Sequence, residues 1–289
     1  MTIAKLTISI DLELAWGNRD NLSPFHIQNI ELKEREVIDR LLEVFERYGL
    51  SVTWAFVAAL LDENSSKNMP GKKSLWFAPE IIEKIRKSPM AHDLGSHGGK
   101  HRYFNEMTEQ EAIEELEFVS HIHSKYNIPL NSFVYPRNKV AKTEILAKHG
   151  IKVYRGEDQA WHESIRRKQV HLGRAANLID KMLPIAPQAV KPQINKEICN
   201  VPGSMLFFSR NGIRRFVHPS VTMAKLEKGL QNAILDGGVF HLWFHPSNFW
   251  SETEQQFAIF ETFIKRVSDL INFNQLEVCT MAEFSQHEH

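Results

Sequence analysis

At 289 residues, 43% hydrophobic and 24% charged, the chain has the composition of a globular protein with enough apolar residues for one large core. Lys plus Arg and Asp plus Glu both number 35, and no run of like charge disturbs that balance. This argues against a polyanion-binding surface, and so against nucleic acid as a partner.

The N-terminal MTIAKLTISIDLELAW puts Asp11 and Glu13 where a secretory signal would need an unbroken apolar stretch, so a cytoplasmic protein is expected. Within it, Lys5 to Asp11 is rich in β-branched residues and reads as a buried strand delivering its last residues to a surface. Ile38, Leu41, Leu42 and Phe45 then share one helical face, with Gly49 where a C-terminal cap belongs. Ser51 to Ala58 returns as a strand. The apolar run around it, Val52 to Leu61, is well short of the roughly 18 residues that cross a bilayer.

A helix over Pro79 to Lys87, a short strand into Ser96 and a long helix from Thr108 follow, the last opening on the Thr108 and Glu111 capping-box pair. Ser132 to Tyr135 is strand-like, Ala141 to His149 helical, and Ile151 to Tyr154 strand-like again. Between about 161 and 235, Pro184, Pro187, Pro192 and Pro202 break the rhythm, which predicts irregular insertions inside a single domain spanning 1–289. A strand over Gly238 to Phe244, a helix over Phe257 to Ile271 and a strand over Leu276 to Cys279 close the chain. Cys199 and Cys279 have no CxxC spacing, so neither a disulfide framework nor a thiolate metal cage is expected.

This alternation predicts an α/β fold, a distorted (β/α) barrel of parallel strands, complete or incomplete, with function at the C-terminal strand ends. An open doubly wound sheet is the alternative.

Three groups of residues fall at such strand ends. His97 and His101 of SHGGKH are four apart, a spacing that lets two imidazoles converge on one metal if the backbone is helical or tightly turned. Gly98 and Gly99 weaken the helical option, and two surface histidines in a polar loop are the plain alternative. Asp11 and Glu13 share one strand face and are costly to leave unpaired against a packed interior. One carboxylate with two histidines makes the three-ligand set of a catalytic zinc-type site, leaving the other as a base; a solvated strand end is the plain alternative. His245 ends an apolar strand before Pro246 and suits a general acid, while His241 on the same face reads as a buried core histidine. Trp243 is a candidate stacking surface for a sugar, though strand-end aromatics are more often core.

SIDLE at 9–13, SHGGKH at 96–101, FVYPRN at 133–138, YRGEDQAW at 154–161 and HLWFHP at 241–246 together resemble the five ordered motifs of the polysaccharide deacetylase family, the NodB homology domain of carbohydrate esterases. The resemblance implies a distorted (β/α) barrel, one divalent metal ion, zinc first, and deacylation of N-acyl sugars. It makes Asp11 the base, His97 and His101 metal ligands and His245 the acid; the carboxylate ligand is then Glu13 or Asp11 itself, and the shared strand face with the longer Glu side chain assigns it to Glu13. The backbone N–H of Arg137 becomes an oxyanion donor, and Tyr135, Arg155, Asp158, Trp161 and Trp243 become substrate-binding candidates.

Two departures stand out: Leu12 replaces the second of two adjacent aspartates, and Val134 stands near the place of the third motif's arginine, whose charge Arg155 is positioned to replace. The expected substrate is a small-molecule or lipid-linked N-acyl amino sugar, as in surface polysaccharide biosynthesis. A deformylase or cyclic-amide hydrolase of the same fold is the first alternative, and a carbohydrate-binding protein without catalysis the second.

Overall fold

The structure, a computed structural model, describes residues 3–159, 171–172, 179–195 and 197–286. Strand β1 (Ala4–Leu12) is buried along its length because both faces are used. Leu6, Ile8, Ile10 and Leu12 belong to the main apolar cluster, while Thr7, Ser9 and Asp11 alternate onto the opposite face. There each polar residue finds a partner: Thr7 beside Cys279, Ser9 beside His241, and Asp11 against Arg155.

Around β1 the sheet is parallel. β8 (Val239–Phe244) lies along Lys5–Ile10, while β2 (Thr53–Phe56) and β9 (Leu276–Val278) share its other edge along Ser9–Leu12 and Ala4–Leu6. β7 (Met205–Leu206) pairs with the far edge of β8. A second arc contains β3 (Ser132–Val134), β4 (Val153–Arg155) and β6 (Ile198–Asn200) in parallel, with β5 (Gln193–Asn195) antiparallel at its margin.

The arcs meet at Ser96, which bridges Phe56 on one side and Phe133 on the other. The strand expected to run into Ser96 is thus reduced to isolated bridges. Gly95 explains the local geometry: a Cβ there would stand 2.3 Å from Ser132 Oγ, so the chains approach too closely for any side chain. At the opposite seam the chain between β6 and β7 spans the gap, with Val201 N–H donating to Tyr154 O and Ser204 N–H to His241 O, both at 2.9 Å. The result is a barrel of parallel strands left open to continuous strand pairing.

Helices cover the apolar faces. The expected capping box is present at Glu109–Lys125, where Thr108 Oγ1 accepts from Glu111 N–H at 3.2 Å and Glu111 Oε2 accepts from Thr108 N–H at 2.8 Å. The proline-rich stretch is more regular than expected, since Pro219–Asp236 forms an 18-residue helix. Its buried face includes Thr222, Lys225 and Gly229 besides Leu226, Leu230 and Ala233, which blurs the apolar stripe; Lys225 is neutralised by Asp180 at 2.7 Å. No helix among the described residues is long and apolar enough to cross a membrane.

Gly229 lets that helix lie directly on β8, for a Cβ there would stand 2.5 Å from the Phe240 ring. Gly229→Leu should therefore lower folding stability by about 1–3 kcal/mol through overpacking, with Gly229→Ala costing less, as read from urea unfolding midpoints.

Candidate active site

The strand ends at one mouth of the barrel bring Glu13, His97 and His101 together. Their donor atoms all lie within 4.8 Å of one another. Glu13 Oε2 is 3.0 Å from His101 Nε2 and 3.5 Å from His97 Nε2. Tetrahedral ligands at about 2.0–2.1 Å from an ion stand roughly 3.3 Å apart, so the donor spacing matches a small divalent cation.

The loop that carries the histidines is no helix. Gly98 and His101 both take left-handed conformations, with φ of 81° and 55°, and this tight turn brings the two rings to 5.0 Å between centroids. His97 Nδ1 donates to Val134 O at 2.9 Å, which leaves Nε2 with its lone pair; that buried atom has no hydrogen-bond partner. Burial pushes the His101 imidazole down against the pull of Glu13, favouring a neutral ring. Burial opposes the charge on Glu13, but the nearby His245 and His101 imidazoles, His101 also by hydrogen bonding, overcome it and hold its carboxyl well below the usual carboxylate range. An acceptor-only carboxylate beside two converging imidazole nitrogens fits a metal ion.

Asp11, two residues earlier, is turned elsewhere. Arg155 donates to both of its oxygens at 2.7 Å, a bidentate pair, and also to Ser9 Oγ at 3.0 Å and Asn138 Oδ1 at 2.9 Å. Burial again works against ionisation, yet Arg155, then His97 and His245, keep the Asp11 carboxyl below its ordinary value. The guanidinium carbon lies 4.3 Å from the centre of the Trp243 ring, whose N–H donates to Asp158 Oδ1 at 3.0 Å. His245 faces both carboxylates, with Nε2 3.7 Å from Asp11 Oδ2 and 3.8 Å from Glu13 Oε1. Two acids of different environment, two ring nitrogens and a third imidazole thus share one mouth.

Residues 28–154 match the polysaccharide deacetylase family. The matched segment includes His97, His101, Tyr135 and Arg137, while Asp11, Glu13, Arg155, Asp158, Trp243 and His245 lie outside it. Comparison with curated proteins gave no match. Among solved structures, a probable polysaccharide deacetylase from Pseudomonas aeruginosa PAO1 superposes with a TM-score of 0.67 at 13% identity, over 99% of this chain and 90% of that one. PuuE allantoinase gives 0.66 at 11% identity, over 99% and 90%. A CE4 family pseudoenzyme from Bacillus anthracis gives 0.51 at 13% identity, over 98% and 66%. These likenesses show the shared α/β barrel-type fold.

Two of the substrate-binding candidates drawn from the polysaccharide deacetylase motifs lie beneath the surface. Tyr135 is fully buried, its ring packed edge-on against Phe104, Phe133 and Tyr154, and Arg155 is fully buried on Asp11. Neither side chain is open to a ligand in this structure, because the strand-end tyrosine completes an apolar cluster and the arginine neutralises an interior charge. Trp243 is 8% exposed and sits 5.9 Å from the His245 ring. Arg137 is exposed, with φ of 57°, and donates to Gly17 O at 3.0 Å. Trp161 lies outside the described residues. His241 is the core histidine expected: Ser9 Oγ is 2.9 Å from Nε2, and burial, aided by Arg155, drives its imidazole down to about 3.

Several supports of the site escape sequence reading. Glu115 accepts from Lys100 N–H at 2.7 Å and so holds the histidine loop from the helix Glu109–Lys125. Gly17 leaves room for Glu13, since a Cβ there would stand 1.9 Å from Glu13 Oε1. A glycine four residues after a strand-end acid is a detectable signal; a glutamate on a helix is not.

Breaking a buried pair leaves one charge uncompensated. Arg155→Met should cost about 3–5 kcal/mol of folding stability, and adding Asp11→Asn should restore part of it, as measured by denaturant titration of the single and double variants.

Proposed function

We propose that the protein is a metal-dependent amide hydrolase that removes an N-acyl group, acetyl first, from an amino sugar. The observation that carries this reading is the division of labour between neighbouring carboxylates: Glu13 faces two imidazole nitrogens, Asp11 faces a guanidinium, and His245 lies within 4 Å of both. Glu13, His97 and His101 would hold the ion, and their mixed oxygen and nitrogen donors favour zinc. When bound there, it supplies a Lewis acid that makes water acidic near neutral pH and polarises a carbonyl.

The chain's own residues do the rest. Asp11 accepts the proton of the attacking water, and Arg155 keeps it ionised and oriented for that task. Water oxygen bonds to the acyl carbon, the C–N bond breaks, and His245 Nε2 delivers a proton to the departing nitrogen. The products are a carboxylic acid, which ionises, and a free amine. The Arg137 N–H, on the turn after β3, is the donor we assign to the developing oxyanion, a contribution worth about 10²–10³ in rate. Trp243 and Asp158 line the approach on the His245 side. The substrate class that suits this reading is a nucleotide- or lipid-linked N-acyl amino sugar, handled in the cytoplasm on the way to a surface polysaccharide.

The test combines metal analysis with turnover on N-acetylated and N-formylated amino sugars and their nucleotide conjugates, scored by amine release. Chelation should abolish turnover and zinc restore it. Asp11→Asn and His245→Ala should each retain stoichiometric metal while losing about 10²–10⁴ in rate. Glu13→Gln should chiefly weaken metal affinity, with activity recovering in excess metal. Metal lost from Asp11→Asn but kept by Glu13→Gln would reverse the assignment of the two acids.

A further inference from the structure

The helix Pro24–Asn29 runs into Arg35–Arg47 through a π-helical turn, Ile30–Glu34. Such turns are rare, and they cluster at functional sites because the extra residue redirects side chains. This one packs against two segments of the mouth: the turn Leu14–Asn21, which begins at Glu13, and the turn Pro246–Phe249, which begins at His245.

Two consecutive residues of the π turn reach one partner. Glu34 accepts from Trp250 Nε1 at 2.5 Å, and Lys33 Nζ donates to Trp250 O at 2.5 Å. Adjacent residues on a regular helix point about 100° apart and do not converge, so here they grip the two ends of the same residue, indole and carbonyl. Trp250 is 5% exposed and Glu34 2%, so the contact is a packed one. Within the turn, His245 N–H donates to Asn248 Oδ1 at 2.8 Å, and Gln256 Nε2 donates to Asn248 O at 2.9 Å. The five residues from His245 to Phe249 are thereby braced internally and anchored at their far end by the π turn.

Glu34 is a carboxyl that neither the metal donor set nor the acid and base roles employ. Burial pushes it up to about 8, with the Trp250 N–H pulling the other way and the Glu13 charge adding to the rise. It is therefore a neutral acid at neutral pH, able to receive the indole without competing with Glu13 for a cation.

We propose that Lys33 and Glu34 are positioning residues that clamp Trp250 and through it hold the His245 imidazole at the mouth. The inference rests on the reading of His245 as the proton donor to the leaving group. The clamp bears most directly on the acid, because Trp250 closes the turn that begins at His245, whereas His97, His101 and Asp11 have partners on other elements.

The experiment compares wild type with Glu34→Leu, Lys33→Met and Glu34→Gln by hydrogen exchange of residues 245–250 and by kinetics. Glu34→Leu and Lys33→Met should speed exchange of that segment about tenfold or more while β8 exchanges as in wild type, a local opening. Glu34→Gln keeps an acceptor for the indole and should restore protection. With an N-acetylated amino sugar as probe, kcat should fall on the order of 10- to 100-fold at unchanged KM and metal content. With 4-nitrophenyl acetate, whose leaving group departs without a proton, the rate should stay near wild type. Wild-type exchange in all variants, or equal loss on amide and ester, overturns the clamp. His245→Ala supplies the separate control: if it loses ester and amide alike, or if the wild type releases no amine, the functional reading fails and the exchange result alone decides the clamp.

Discussion

A carboxylate and a guanidinium survive together in an interior only when each satisfies the other, and the Asp11–Arg155 pair does so across the barrel, joining β1 to β4. Much else follows from that pairing. Ser9 and Asn138 take further guanidinium N–H groups, and Trp243 covers the planar face of the cation, so a polar column replaces what would otherwise be aliphatic filling. With Asp11 turned towards Arg155, the neighbouring Glu13 is the carboxylate that faces the histidine loop. Its longer side chain, placed two residues on and with Gly17 clearing its path, reaches His101 Nε2 at 3.0 Å.

Much of this is legible in the amino-acid sequence, for local reasons. The β-branched run of β1, the Thr108 capping box and the glycine after Arg35–Arg47 are short-range signals, and they predict those elements to within a few residues. Period-two alternation places Thr7, Ser9 and Asp11 on one face without any tertiary information. What the sequence does not carry is partnership at a distance. Arg155 meets Asp11 across 144 positions, and Trp250 meets Glu34 across 216, separations at which no periodicity operates. Burial decides the rest: Tyr135 is a substrate-binding candidate by motif resemblance, but Phe104 and Phe133 pack against its ring. The helix Pro219–Asp236 is hard to read because a paired lysine and a glycine occupy its buried face.

The fold itself carries little chemical information. A probable deacetylase, an allantoinase and a pseudoenzyme all superpose on nearly the whole chain, at identities of 13%, 11% and 13%. A parallel barrel offers strand ends, and what stands on those ends determines the reaction. Here, among the described residues, the ends of β1, β3, β4 and β8, with the loop after Ser96, supply the polar groups named at the mouth, and the helices behind them supply bracing.

The open seam of the barrel has a consequence for how the molecule is made. β1 ends at Leu12, yet its longest neighbour, β8, begins only at Val239. Until β8 is synthesised, one edge of the nine-residue β1 waits without its partner. The histidine loop and Glu13 are complete by residue 101, so a nascent chain holds the donors of the cation site long before it holds His245. The β1–β8 pairing joins segments far apart in sequence, the kind of contact that lengthens the search for the native topology.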